Sequence, residues 1–186
     1  IHARDAVGNW GPFTTATLTI DRTPPTVGIP TLTPSASNNT AVAISATAND
    51  TATGNSNIGG GEYFIDTAGA AGTGAAMTAT AALPNTTITA NIPAAAIGAL
   101  TTGNHTIYVR AKDAAGNWST TTSATLLIDR TAPTFTGISI SPNSISVGTP
   151  SVTLTVNGAS DAGGSGVAGG EYWFGRTDIT AGTGTA

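Results

Sequence analysis

The feature that most constrains this chain is an internal repeat. Asp5-Ala6-Val7-Gly8-Asn9-Trp10 returns as Asp113-Ala114-Ala115-Gly116-Asn117-Trp118, 108 positions on. Asp21-Arg22-Thr23-Pro24-Pro25-Thr26 returns as Asp129-Arg130-Thr131-Ala132-Pro133-Thr134 at the same spacing. Gly61-Glu62-Tyr63-Phe64-Ile65 is echoed by Gly170-Glu171-Tyr172-Trp173-Phe174, and Gly72-Thr73-Gly74 by Gly182-Thr183-Gly184. A period near 108 residues is a whole domain, not a supersecondary unit. The expected organisation follows: residues 1–24 hold the C-terminal two strands of one domain, 25–132 a complete domain, and 133–186 the N-terminal half of the next.

Composition favours strands over helices or disorder. Charged residues make up 9% of the chain and the net charge is −4. Disordered segments pair high net charge with few β-branched residues, whereas Thr, Val and Ile abound here. There is no cysteine, which excludes disulfides and thiolate metal sites. Six basic residues and a pI near 4.7 argue against nucleic acid as a partner. No apolar run is long enough for a membrane span.

Period-2 alternation marks half-buried strands. It occurs at Thr14–Asp21, with Ala16, Leu18 and Ile20 on one face. It recurs at Ala41–Ala48, with Val42, Ile44, Ala46 and Ala48 aligned, and at His105–Lys112, with Ile107 and Val109 inward. Ala124, Leu126 and Ile128 repeat the Ala16 face, and Val152, Leu154 and Val156 repeat the Val42 face. Pro30 weakens a strand over Val27–Thr33 and assigns it to an edge. Glu62–Asp66, Met77–Ala82 and Thr86–Ile92 supply further strands, with Asn49–Gly61 as a long loop. Pro93–Leu100 forms one helical turn with Pro at its start.

About seven strands in 108 residues, with turn signals between them, is the β-sandwich signature. Three motifs extend it: Glu-Tyr followed by aromatics, His105-Thr-Ile-Tyr-Val-Arg running into Asp113-Ala-Ala-Gly-Asn-Trp, and the Asp-Arg-Thr-x-Pro-Thr boundary. With these the chain resembles the tandem bacterial immunoglobulin-like domains of large secreted and surface proteins, and is similar to fibronectin type III modules. The resemblance implies an all-β fold of tandem immunoglobulin-like sandwiches, an extracellular or cell-surface location, and a structural role. An antibody-type domain is not supported, because the Cys pair is absent.

In such a sandwich the loops after the second and sixth strands share a pole with the incoming linker. That would gather Asp21, Asp50, Glu62 and Asp113 at one junction. Asp129, Asp161 and Glu171 would gather at the next, which Asp66 would also face. Converging carboxylates repel unless a cation is present. One reading is therefore a calcium site at each junction, with Asn117 or backbone carbonyls completing the oxygen shell. The other assigns separate roles: Asp113 bonding its own turn, Glu62 paired with Arg110 or Lys112, and Asp129 capping the linker.

No catalytic constellation is present. Ser165 lies in Gly-Gly-Ser-Gly-Val rather than a nucleophile elbow, and His2 and His105 belong to no metal-spaced cluster. The run after Asp161 lacks the acidic positions of a helix-loop-helix calcium loop. The expected function is a non-catalytic spacer of an extracellular bacterial fibre, adhesin or surface protein, stiffened by calcium. Its partners would be neighbouring domains of the same chain or copies of itself. The alternatives are a module binding glycan or another cell-surface ligand through Tyr63, Trp118 or Trp173, and an accessory region of a secreted enzyme.

Overall fold

A computed structural model describes all residues except 149–150, 176–178 and 186. The protein is mostly β, built on one curled sheet. The strands are β1 (Thr26–Val27), β2 (Thr31–Thr33), β3 (Ala36–Ser37), β4 (Val42–Asn49), β5 (Ile58–Ile65), β6 (Ala75–Ala79), β7 (Asn85–Ile92), β8 (Gly103–Asp113), β9 (Thr122–Ile128), β10 (Gly137–Ser141) and β11 (Thr153–Asn157). One short helix, α1, spans Ala94–Ala99. The hydrogen-bonded order is β1-β4-β7-β6-β5-β8-β9-β3, with β2 also on β4; β10 and β11 form a separate pair.

By contact density the chain divides into two units. The first comprises Ile1–Thr31, Ser45–Ala90 and Ile107–Ala124; the second comprises Leu32–Ile44, Asn91–Thr106 and Thr125–Ala186. In the first, β5 pairs antiparallel with β6 and β8, in a register that sets Glu62 opposite Arg110 and Ala76. Its core is Ala46, Ala48, Ile58, Met77, Ile88, Ile107, Val109 and Ala111. In the second, β3 runs parallel to β9, with Ala36 opposite Leu127. Val42, Ile44, Ile92, Ile97, Leu126 and Ile128 are buried there. The six residues that alternation assigns to the core, Val42, Ile44, Ile107, Val109, Leu126 and Ile128, are all 0–1% exposed.

Local chemistry explains the elements. β4 alternates strictly between buried and open positions, so its Val, Ile and Ala side chains share one face. α1 starts after Pro93, whose fixed φ suits a helix entry. At its other end Arg130 donates to the carbonyls of Ile97, Gly98 and Leu100, satisfying acceptors that a helix terminus leaves open. The same guanidinium donates to Asn38 O.

Two expectations are corrected. The glycine triplet before Glu62 is not loop but the start of β5, with an irregularity in register between Ile58 and Gly60. The strands approach closely there: a Cβ on Gly61 would sit 2.5 Å from Arg110 O and 2.7 Å from Ile88 Cδ1. Thr14–Asp21 is not a strand. Its alternation is real, yet no ladder forms along it, and Leu18 and Ile20 stay 83% and 66% exposed. Periodicity marks a face that suits a sheet; a strand also needs a neighbour to complete its hydrogen bonds.

Candidate functional site: an acidic triad

Asp21, Asp50 and Asp113 converge, with one carboxylate oxygen from each lying within 4.8 Å of the others. Asp113 ends β8 and is 1% exposed; Asp50 follows β4 and is fully buried; Asp21 is half-buried in the segment that precedes β1. Among the described residues this is the group of three acidic side chains whose spacing could hold a metal ion.

Each carboxylate is oriented by neutral donors. The Asn117 N–H and Nδ2 both donate to Asp113 at 2.8 Å. The Thr53 hydroxyl and the Ser56 N–H donate to Asp50 at 2.5 and 2.6 Å. Asp21 accepts the Ser56 hydroxyl at 2.5 Å and the Thr23 N–H at 2.9 Å. These bonds, the Ser56 hydroxyl foremost, hold the Asp21 carboxyl below its ordinary value. Gly54 makes room: a Cβ there would collide with the Asp21 carboxylate. Asn117 faces the triad with its amide nitrogen, which also reaches Asp21 O at 3.4 Å, so it acts as a donor that fixes the carboxylates.

Asp129 and Asp161 form a related but smaller arrangement. Asp129 accepts the Thr131 N–H at 3.0 Å and the Ser165 N–H at 2.7 Å, and these bonds lower its pKa. Asp161 accepts the Gly166 N–H at 2.7 Å. Among the described residues its buried Oδ1 has no hydrogen-bond partner. Both carboxylates lie under Gly164, where a Cβ would be 2.5 Å from each Asp161 oxygen and 2.7 Å from Asp129 Oδ2.

Glu62 and Glu171 stand apart from these clusters. Glu62 takes the Gly72 and Gly74 N–H groups at 2.9 and 2.6 Å, and the Arg110 Nε at 2.5 Å. Burial would raise its pKa, but the two backbone donors and Arg110 outweigh burial and lower it. Glu171 takes Gly182 and Gly184 N–H at 2.7 and 2.9 Å. Each glutamate thus clamps the Gly-Thr-Gly loop of its own repeat. The joint recurrence of Gly-Thr-Gly with the Glu-Tyr strand was the sequence signal for this clamp. Asp66 is exposed in the turn after β5, with φ 62°. Asp178 lies outside the described residues. Trp118 is half-buried between Arg110 and Lys112, whose cationic groups stand 5.7 and 5.5 Å from its ring.

No family model, no curated protein and no solved structure matches the chain. Among the described residues, no helix is long and apolar enough to cross a membrane.

Proposed function

We propose that the chain is a non-catalytic spacer of tandem immunoglobulin-like domains from an extracellular bacterial fibre, adhesin or surface protein. In this reading calcium held by Asp21, Asp50 and Asp113 stiffens the linker. The convergence of those three carboxylates carries the proposal. Two of them are buried, and the donors that orient them are neutral, so their mutual repulsion calls for a proton or a cation. Hard oxygen donors at this spacing suit Ca²⁺, which takes six to eight oxygens and accepts backbone carbonyls among them. Asp21 is the useful partner, because a cation binding it together with Asp50 and Asp113 would tie the segment before β1 to the positions after β4 and at the end of β8.

The internal repeat supports the spacer reading. Asp21 and Asp129 each accept the N–H two residues ahead and a donor from a serine of the next loop, Ser56 or Ser165. A device used at both linkers fits an array whose property is spacing. The test is small-angle scattering of the chain with calcium and with a chelator. Stiffening predicts a larger maximum dimension and a narrower ensemble with calcium. Superimposable profiles would remove the mechanical role.

A further inference from the structure

Asn157 ends β11, and Gly158 follows it outside the ladder with β10. Among the asparagines of the chain, Asn157 alone precedes a glycine. Its carbonyl is held by Thr136, which donates its N–H at 2.9 Å and its hydroxyl at 3.0 Å. Gly158 has φ 61°, and a Cβ there would stand 2.5 Å from Thr136 Oγ1, so the position takes glycine. Among the described residues, nothing accepts the Gly158 N–H. Asn157 itself is exposed. That openness is a property of the position in the strand. Thr47 accepts the Gly28 N–H at 2.8 Å, as Asn157 accepts that of Thr136, and it too is exposed in the preceding repeat.

These features set a side-chain amide beside a main-chain nitrogen that is free to attack it. A glycine nitrogen has no neighbouring Cβ to shield it. Two other asparagines show what is special here. Asn55 precedes Ser56, whose N–H is committed to the Asp50 carboxylate at 2.6 Å. Asn143 is exposed like Asn157, but the residue after it is Ser144, which carries a side chain next to the nitrogen.

We infer that Asn157 is a modification site, where the side-chain amide is lost by spontaneous deamidation through a cyclic imide. The Gly158 nitrogen attacks Asn157 Cγ, and a C–N bond forms between them. The bond from Cγ to Nδ2 breaks, and ammonia leaves with the proton that the Gly158 nitrogen gives up. Water then opens the imide. Opening at the Cγ carbonyl gives aspartate. Opening at the main-chain carbonyl gives isoaspartate, in which the main chain runs through Cγ. The net reaction consumes water, releases ammonia and needs no oxidant or reductant. Either product places a new negative charge four positions before Asp161. Isoaspartate also lengthens the main chain by one carbon between β11 and the Thr134–Ser160 bridge. The inference depends neither on the spacer reading nor on calcium, so it stands or falls apart from both.

The experiment is incubation of the whole chain in mildly alkaline buffer, with samples digested over time and read by mass spectrometry. The wild type is followed both folded and in urea, beside an Asn157→Gln variant. In the folded wild type the peptide carrying Asn157 should gain the mass difference between an amide and an acid. It should also split into two chromatographic forms, aspartate and isoaspartate, with fragmentation placing the change at Asn157. The rate there should be about tenfold above that at Asn143, whose neighbour carries a Cβ. The Asn157→Gln chain should lose the signal, because glutamine must close a larger ring. Equal rates at Asn157 and Asn143 overturn the inference. So does an Asn157 that reacts in urea but survives in the folded chain, which would mean that the Thr136 contacts protect it. A mass change that persists in Asn157→Gln would place the reaction elsewhere and overturn it as well.

Discussion

The Ser56 hydroxyl donates to Oδ2 of Asp21 at 2.5 Å, joining the segment before β1 to the loop after β4. Ser165, 109 positions beyond Ser56, donates its N–H to Oδ2 of Asp129 at 2.7 Å. In both copies of the motif an aspartate thus bonds a serine of a later loop, although Asp161-Ala-Gly-Gly-Ser is two residues shorter than Asp50-Thr-Ala-Thr-Gly-Asn-Ser. The contact survives the change in loop length because a serine has two groups that can donate, its hydroxyl and its main-chain N–H.

The first prediction concerns that bond. The Ser56 hydroxyl is the largest cause of the lowered Asp21 pKa. Ser56→Ala should move the Asp21 titration midpoint upward, toward the ordinary 3.8. Carboxyl-carbon NMR across an acid titration reads this directly. An unmoved midpoint would mean that the hydroxyl does not bind the carboxylate in solution.

The glutamate clamp gives the second. The Glu62 side chain is 3% exposed and its Arg110 partner 11%. Glu62→Gln would turn an amide NH₂ toward N–H donors that now meet a carboxylate, and would leave the guanidinium without its counter-charge. The cost should be on the order of 2–4 kcal/mol in urea unfolding. A loss within experimental error would show that the loop rearranges freely around the neutral side chain.

Acid sensitivity follows from the same group. The Glu62 pKa in the folded protein lies below 4.5, its ordinary value. Its contribution is complete above that value and is lost as pH falls through the lower folded pKa. The wild-type melting temperature should therefore drop on acidification below about pH 4.5, and Glu62→Gln should flatten that part of the profile. Parallel profiles for the two proteins would assign the acid loss to other carboxylates.

A matched pair of truncations tests the burial pattern. Leu126 is 0% exposed and its repeat counterpart Leu18 is 83% exposed. Leu126→Ala, like Ile107→Ala, should cost about 2–5 kcal/mol, and Leu18→Ala less than about 0.5 kcal/mol in dilute solution. Equal costs in denaturant titration would contradict the difference in packing between the two copies.

The core was legible in the sequence because alternation is a local signal: a period of two places Val42, Ile44, Ile107 and Leu126 on one face without reference to anything distant. Thr14–Asp21 carries the same signal and forms no strand, since pairing depends on what lies alongside. β3 was missed for the opposite reason. Ala36–Ser37 is too short to show a period, and it exists because β9 offers it parallel hydrogen bonds. Of the acidic residues, Asp21, Asp50 and Asp113 could be grouped because the sandwich topology that the resemblance implies sets the segment before β1 beside the positions after β4 and β8. For Glu62 two readings stood, the acidic cluster and a pairing with Arg110; the structure has the pairing, and Glu171 likewise turns to the Gly-Thr-Gly loop of its own repeat. What turns them is the pair of free N–H groups at Gly72 and Gly74, or Gly182 and Gly184, a partner chosen by backbone geometry rather than charge.

The acidic triad is tested most directly by calorimetric calcium titration of the chain, paired with melting curves in calcium and in chelator. Affinity should be modest, in the range of about 10⁻⁴–10⁻³ M found for extracellular modules. Saturating calcium should raise the melting temperature, because a ligand that binds only the folded state stabilises it by mass action. Asp113→Asn retains an acceptor for Asn117 but removes one charge, and should abolish both the heat and the shift. Wild-type protein that shows neither binding heat nor any change in melting temperature would contradict the account and leave the three aspartates as hydrogen-bond acceptors for their own loops.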